Sequence, residues 1–178
     1  MAKNSAKQIV EDEKEILKEL SKNANKSINE IAQDCGFSRQ KVWRVIKNLE
    51  KNKTIWGYTT VIDEEKQGLK GYVLLIKRSN KPIDKDLINK IARRDVLKKT
   101  TKIEVELVNS TYTNGAYDWV MCFTAKDIKN AKRFAEYTKQ VIEGYASEVQ
   151  LLEEMFVMQR CGIQNPESQK IKDFFDTD

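Results

Sequence analysis

Apolar residues in the first third of the chain recur at helical spacing. Between positions 11 and 20, Ile16, Leu17 and Leu20 share a face, and acidic residues crowd the first turn, where the helix dipole favours them. A polar break covers 21–26. Ser27-Ile28-Asn29-Glu30 then has the form of a capping box, in which Ser27 and Glu30 satisfy each other's backbone N–H groups. The helix it opens carries Ile31, Ala32 and Cys35 and stops at Gly36. Phe37 follows, and Ser38 is a good N-cap for a third helix over 39–51. In that helix Val42, Ile46 and Leu49 fall on one face, with Val45 beside them. Gln40, Arg44, Lys47 and Lys51 fall on the opposite face, and Trp43 on the flank. Residues 53–58 lead into β-branched positions at 58–62, which predict a strand that would serve as a wing.

The pattern then changes. Residues 71–78 predict a strand that is apolar on both parities through Tyr72, Val73, Leu74, Leu75 and Ile76. A helix follows over 82–94, with Asp84 near its start and Leu87, Ile88 and Ile91 on one face. A second strand is expected over 102–111. Asn114-Gly115 is a turn signal before a third strand over 117–124. Asp127 caps a helix reaching about Val141, with Ile128, Ala131, Phe134, Ala135 and Thr138 at helical spacing. A last strand covers 147–158. Strand, helix, strand, strand, helix, strand is the order of a ferredoxin-like sandwich. The fold class is α+β: an N-terminal winged helix-turn-helix over 1–63, a ferredoxin-like βαββαβ sandwich over 64–160, and a tail over 161–178. In that tail Pro166 could open a short helix bearing Ile171, Phe174 and Phe175. Helices cover only one face of such a sheet. Because the first and third strands are apolar on both parities, the other face needs a cover. A second copy of the sheet is the economical one and implies a homodimer; the wing strand or the tail is the alternative.

Composition narrows the chemistry. The 178 residues hold 32 Lys and Arg against 27 Asp and Glu, a net charge of +5, and no histidine. The missing histidine removes His-based acid–base catalysis, Ser-His and Cys-His nucleophile pairs and His metal sites. Cys35, Cys122 and Cys161 form no CxxC pair, so neither a zinc site nor a secreted disulfide scaffold is expected. The polar N-terminus carries no secretory signal, and no apolar run approaches the roughly 20 residues of a membrane span. A cytoplasmic protein without membrane association, metal or cofactor is expected. The charge is uneven. Residues 1–63 hold 12 basic and 9 acidic residues, 64–126 hold 13 and 8, and 127–178 hold 7 and 10. A modest basic excess favours polyanion partners by counterion release.

A short helix, a glycine turn and a cationic second helix make a helix-turn-helix, whose second helix enters the major groove of double-stranded DNA. Arg39, Gln40, Trp43, Arg44 and Lys47 are expected at the groove, with Ser38 and Lys53 near phosphates and Lys41 also in the DNA-binding set. The simpler reading of the helix is an ordinary amphipathic surface helix with its charges in water.

Several motifs in order and spacing carry a family resemblance. These are Ile16-Leu17 with Leu20, Ile31-Ala32 with Phe37-Ser38, and Val42 with Ile46 and Leu49. Ile55, Gly57-Tyr58 and Gly68-Leu69 follow, then Gly115-Ala116-Tyr117-Asp118 ahead of a strand. From about Val10 to Cys161 the chain resembles the Lrp/AsnC (feast/famine) transcriptional regulators. The resemblance implies a winged helix followed by a ligand-sensing domain that dimerises through its sheet, with dimers associating further, often into octamers. It also implies promoter binding and a response to an amino acid or other small metabolite held between dimers. On this chain Asn114, Gly115, Tyr117 and Asp118 become the candidate effector residues. Asp118 or a backbone group would receive an ammonium, and backbone N–H groups near Gly115 a carboxylate. A plain hairpin is the alternative there. The chain departs from the family in Glu148, Glu153 and Glu154 on its last strand, in the long basic connection over 93–102, and in the tail.

An enzyme is not expected. The enzymatic branch with this fold uses histidines, and no Gly-x-Ser-x-Gly, P-loop or dinucleotide fingerprint is present. The alternative to a specific regulator is an architectural DNA-binding protein without a small-molecule effector.

Overall fold

The structure is a computed structural model, and it describes residues 6–175. The described residues form two compact units, one running up to Val61 and resuming at Met158, and one of Ile62–Val157.

In the first unit the chain forms helices α1 (Ala6–Lys22), α2 (Ile28–Cys35) and α3 (Arg39–Lys51). Their boundaries follow from local chemistry. Ser27 Oγ accepts the Glu30 N–H (3.2 Å) while Glu30 Oε2 accepts the Ser27 N–H (2.7 Å), which completes the capping box. Gly36 takes the left-handed conformation (φ 65°) that lets the Phe37 N–H reach the Ala32 carbonyl at 2.8 Å. Ser38 caps α3 by accepting the Lys41 N–H (3.2 Å). Ile16, Ile31, Ala32 and Val42 form the buried core, with Leu20, Phe37, Val45 and Ile46 packed on it.

Three expectations for this unit are corrected. The first helix begins at Ala6, five residues early, because the polar first turn is still helical. The segment over 58–62 is not a strand; among the described residues of this unit no neighbouring strand offers it a ladder. The tail carries a hairpin absent from the sequence reading, β5 (Gln159–Arg160) with β6 (Ile163–Gln164), turned at Cys161 (φ 50°) and Gly162 (φ 81°). Two successive positive φ values are what a two-residue hairpin turn requires. The helix expected after Pro166 is a 3-10 helix, Ser168–Phe174.

The second unit is a four-stranded antiparallel sheet in the order β2-β3-β1-β4, formed by β1 (Lys70–Arg78), β2 (Val105–Tyr112), β3 (Trp119–Ala125) and β4 (Ala146–Glu153). Helices α4 (Lys85–Ala92) and α6 (Ile128–Val141) supply the crossovers. Asp84 and Asp127 cap them by accepting the N–H groups of Leu87 (2.9 Å) and Asn130 (2.8 Å). The helix expected over 82–94 is therefore shorter, since Asp84 sits outside it as the cap. The long connection after it holds a 3-10 turn at Asp95–Leu97 and one short helix, α5 (Thr100–Ile103). The last strand ends at Glu153 rather than 158, where its register with β1 ends at the pair Tyr72–Glu153.

The period of two sorts the strands. Tyr72, Leu74, Ile76, Trp119, Met121 and Phe123 point to the helices and are buried with Phe134 of α6. Phe123 stacks on Tyr72 (5.6 Å between centroids) and meets Phe134 edge-on (4.7 Å). Val73 and Leu75 of β1 and Val120 and Cys122 of β3 point the other way and are half-buried; Leu152 of β4 joins them, exposed. The second face of the sheet is thus apolar at its centre, as the double parity of β1 and β3 implies.

Candidate nucleic-acid interface

Helix α3 divides cleanly. Val42 and Leu49 are buried, and Arg39, Gln40, Trp43, Arg44 and Lys47 are exposed together. Trp43 keeps 53% of its surface in water, too much for a residue placed there for packing alone. Gln40 and Arg44 are one helical turn apart, the spacing at which two side chains reach adjacent base edges. Lys47 pairs with Glu50 (2.8 Å), which also accepts the Tyr58 hydroxyl (3.1 Å). The Lys47–Glu50 pair is exposed, so Lys47 can exchange its carboxylate for a phosphate at little cost. Lys53 lies just past the helix with φ 62°, exposed. Ser38 spends its oxygen lone pair on the cap and keeps its hydroxyl hydrogen to donate.

Lys41 is placed differently. Its Nζ lies 2.7 Å from the buried carboxylate of Asp12 and 3.5 Å from the centre of the Phe37 ring. The hydrogen bond from Lys41 holds the Asp12 carboxyl below the usual range against the opposing effect of burial, and Gln8 adds a second hydrogen bond. Lys41 therefore pins α3 to α1 and is not part of the exposed basic face. The sequence marks it as one more cation of α3; only the tertiary position of Asp12 turns it inward.

The loop between β2 and β3 carries the effector candidates. It runs over six residues, 113–118, and Gly115 does not take a positive φ, so this is a wider connection than a two-residue Asn-Gly turn. Its base is closed by the Thr113 N–H to the Asp118 carbonyl (2.9 Å) and the Thr113 hydroxyl to the Tyr117 carbonyl (2.6 Å). Below that, Tyr112 stacks on Trp119 (4.9 Å). Asp118 bridges to β1: its Oδ2 accepts the Arg78 N–H (2.8 Å) and its own N–H donates to the Ile76 carbonyl (2.8 Å). One oxygen of the expected ammonium ligand is therefore already used in holding the loop. Asn114 and Gly115 are exposed at the tip, and Tyr117 is half-buried. Among the described residues no acceptor takes the backbone N–H groups of 114–117. No group of three or more Cys, Asp or Glu side chains that could hold a metal occurs among the described residues.

A family described as winged helix-turn-helix DNA-binding matches residues 13–55, from within α1 to just past the end of α3. No curated protein matches the chain by sequence. Among solved structures, PH0061 is 25% identical over 90% of this chain and 98% of its own, with a TM-score of 0.66. An AsnC family transcriptional regulator from Agrobacterium tumefaciens is 18% identical over 84% of this chain and 92% of its own (TM-score 0.61). The transcriptional regulator NMB0573 of Neisseria meningitidis, solved with L-Met, is 15% identical over 89% and 97% (TM-score 0.63). The chain has the fold of the Lrp/AsnC regulators. Residues 13–55 match a DNA-binding family of the winged helix-turn-helix class, and the sandwich has the fold of the second domain of these regulators. The relatives named by function are transcriptional regulators. No helix among the described residues is long and apolar enough to cross a membrane.

Proposed function

We propose that this Lrp/AsnC-type chain is a sequence-specific transcriptional regulator that reads the major groove with Arg39, Gln40, Trp43, Arg44 and Lys47. The carrying observation is the shared exposure of these five side chains on one side of α3, opposite the buried Val42 and Leu49. Arg44 and Gln40 would supply base readout; Lys47, Lys53 and the Ser38 hydroxyl would fix the helix on the backbone. In a footprinting and gel-shift series, wild type should protect discrete sites, and Arg44→Ala should weaken those sites by about 1–3 kcal/mol while leaving non-specific binding nearly unchanged. Uniform protection of any duplex by wild type would favour the architectural reading instead.

Two finer elements belong to the same proposal. The chain would dimerise through the second sheet face, where Val73, Leu75, Val120 and Cys122 are half-buried and Leu152 is exposed; the dimers would associate further, into octamers. Light scattering of wild type and Leu75→Glu checks this, with a shift to lower mass expected. The loop at Asn114, Gly115, Tyr117 and Asp118 would take the carboxylate of an amino acid or similar metabolite between dimers. Support comes from the unengaged N–H groups of 114–117 and from the regulator of similar fold solved with L-Met. Calorimetric titration with a panel of amino acids should give heats that vanish in Asp118→Ala; silence across the panel would leave a regulator without this effector class.

A further inference from the structure

The second unit carries a basic groove that the functional reading above does not use. It lies between the α5 segment and α6, encloses about 780 Å³, and is lined by Lys99, Lys102, Lys129, Lys132 and Arg133. All five side chains are exposed, and none has a carboxylate partner among the described residues. The one acid of the lining, Glu136, is already paired with Lys139 at 2.7 Å. Lys129, Lys132 and Arg133 recur at helical spacing on one side of α6, away from the buried Phe134 and Thr138. Five cations gathered around one carboxylate that is already engaged repel one another, and of the five Lys99 rests over the Tyr137 ring at 4.8 Å.

We propose that this groove is a second contact surface for the phosphate backbone of double-stranded DNA. The inference rests on the DNA-binding reading of the first unit, which brings a duplex to the protein. The form of the groove favours a polymeric anion over a small phosphate ligand. It is open, and it offers long exposed side chains rather than a buried cradle of donors. The N-terminus of α6 beside it is already closed by the Asp127 carboxylate on the Asn130 N–H. From Lys129 to Arg133 the helix rises about 6 Å, the axial length of roughly two phosphates of one strand. Such a surface reads no sequence; it adds affinity through released counterions.

The test uses the full chain and duplexes of random sequence, one short and one long, titrated over a salt series by fluorescence anisotropy. The four-fold variant Lys99→Gln, Lys102→Gln, Lys129→Gln and Lys132→Gln should bind the long duplex about tenfold or more weaker at low salt. Its slope of log affinity against log salt should be shallower by roughly 2 to 3. The matching Lys→Arg variant should keep both the affinity and the slope. The pair Lys129→Gln and Lys132→Gln gives a milder version of the same comparison should the larger set disturb folding. An unchanged slope in folded Lys→Gln protein, while wild type binds DNA, overturns the groove alone. Failure of wild type to bind any duplex overturns the DNA reading and the groove with it. Saturable binding of inorganic phosphate or ATP to wild type, lost in the Lys→Gln variant while its DNA slope stays intact, would assign the groove to a small anion and overturn the proposal.

Discussion

The two units solve the problem of a small core in different ways. The sandwich buries a continuous apolar layer in which Tyr72, Phe123 and Phe134 touch ring to ring, with Leu74, Ile76 and Met121 alongside. The helix-turn-helix buries only Ile16, Ile31, Ala32 and Val42 in its main cluster and supplements them with polar clamps. Asp12 and Lys41 tie α1 to α3. Lys26 reaches Glu19 (2.5 Å) and Asp34 (2.6 Å), tying the end of α1 to α2. Three short helices cannot bury enough apolar surface to be generously stable, so directional contacts carry more of their definition. The difference predicts which perturbations each unit feels.

The largest effect is expected in the sandwich. Phe134→Ala removes a fully buried ring from the centre of its core and should cost ~3–5 kcal/mol, read by hydrogen exchange as lost protection across β1, β3 and α6. Equal loss of protection in α1 to α3 would break the comparison. In the helical unit Asp12→Ala should cost about 2 kcal/mol, below the range of a fully enclosed ion pair because Lys41 keeps part of its side chain in water. Its exchange signature should stay in the first unit.

Acid sharpens the same contrast. In the helical unit hydrogen bonds from Lys22 and then Lys26 hold Glu19 down to about 2, and Lys41 holds Asp12 low. Glu30 is lowered by Ser27, and Glu50 by Lys47. A carboxylate with a depressed folded pKa contributes stability above its unfolded value, and loses it as pH falls through the folded value. The helical unit should therefore weaken between about pH 4.5 and about 2. The sandwich has the opposing case of Glu154, whose carboxyl burial pushes up, beside Asp84 and Asp95, lowered by Tyr145 and Lys98. Protonating Glu154 relieves its burial penalty, so the sandwich should lose less over that window, measured as protection against pH. The smallest change is Ser27→Ala, expected to cost ~1 kcal/mol through the lost cap, visible as fraying of α2 alone.

What the sequence made legible follows the range of the forces involved. Caps are local, so Ser27 with Glu30, Ser38 and Asp127 marked helix starts that the structure keeps. Double parity in β1 and β3 is also local, and it led to the apolar second face of the sheet. Features that need a distant partner were lost. Residues 58–62 have strand composition, but a strand exists only beside another. Lys41 has the composition of a DNA contact, but Asp12, twenty-nine positions away, claims it. The basic stretch before β2 stayed without meaning until α6 was seen to bring Lys129, Lys132 and Arg133 to the same groove as Lys99 and Lys102.

The placement of the three tryptophans has an optical consequence. Trp119 is 5% exposed beneath the sandwich helices, Trp56 is 95% exposed after α3, and Trp43 stands half in water on the helix assigned to the groove. The unlabelled chain thus contains its own set of emitters in three solvent environments. A duplex seated on α3 should dim Trp43 and leave Trp119 unchanged, while loss of the sandwich core should redden Trp119 and leave Trp43 as it was. The two units can be followed by the colour of the light each returns.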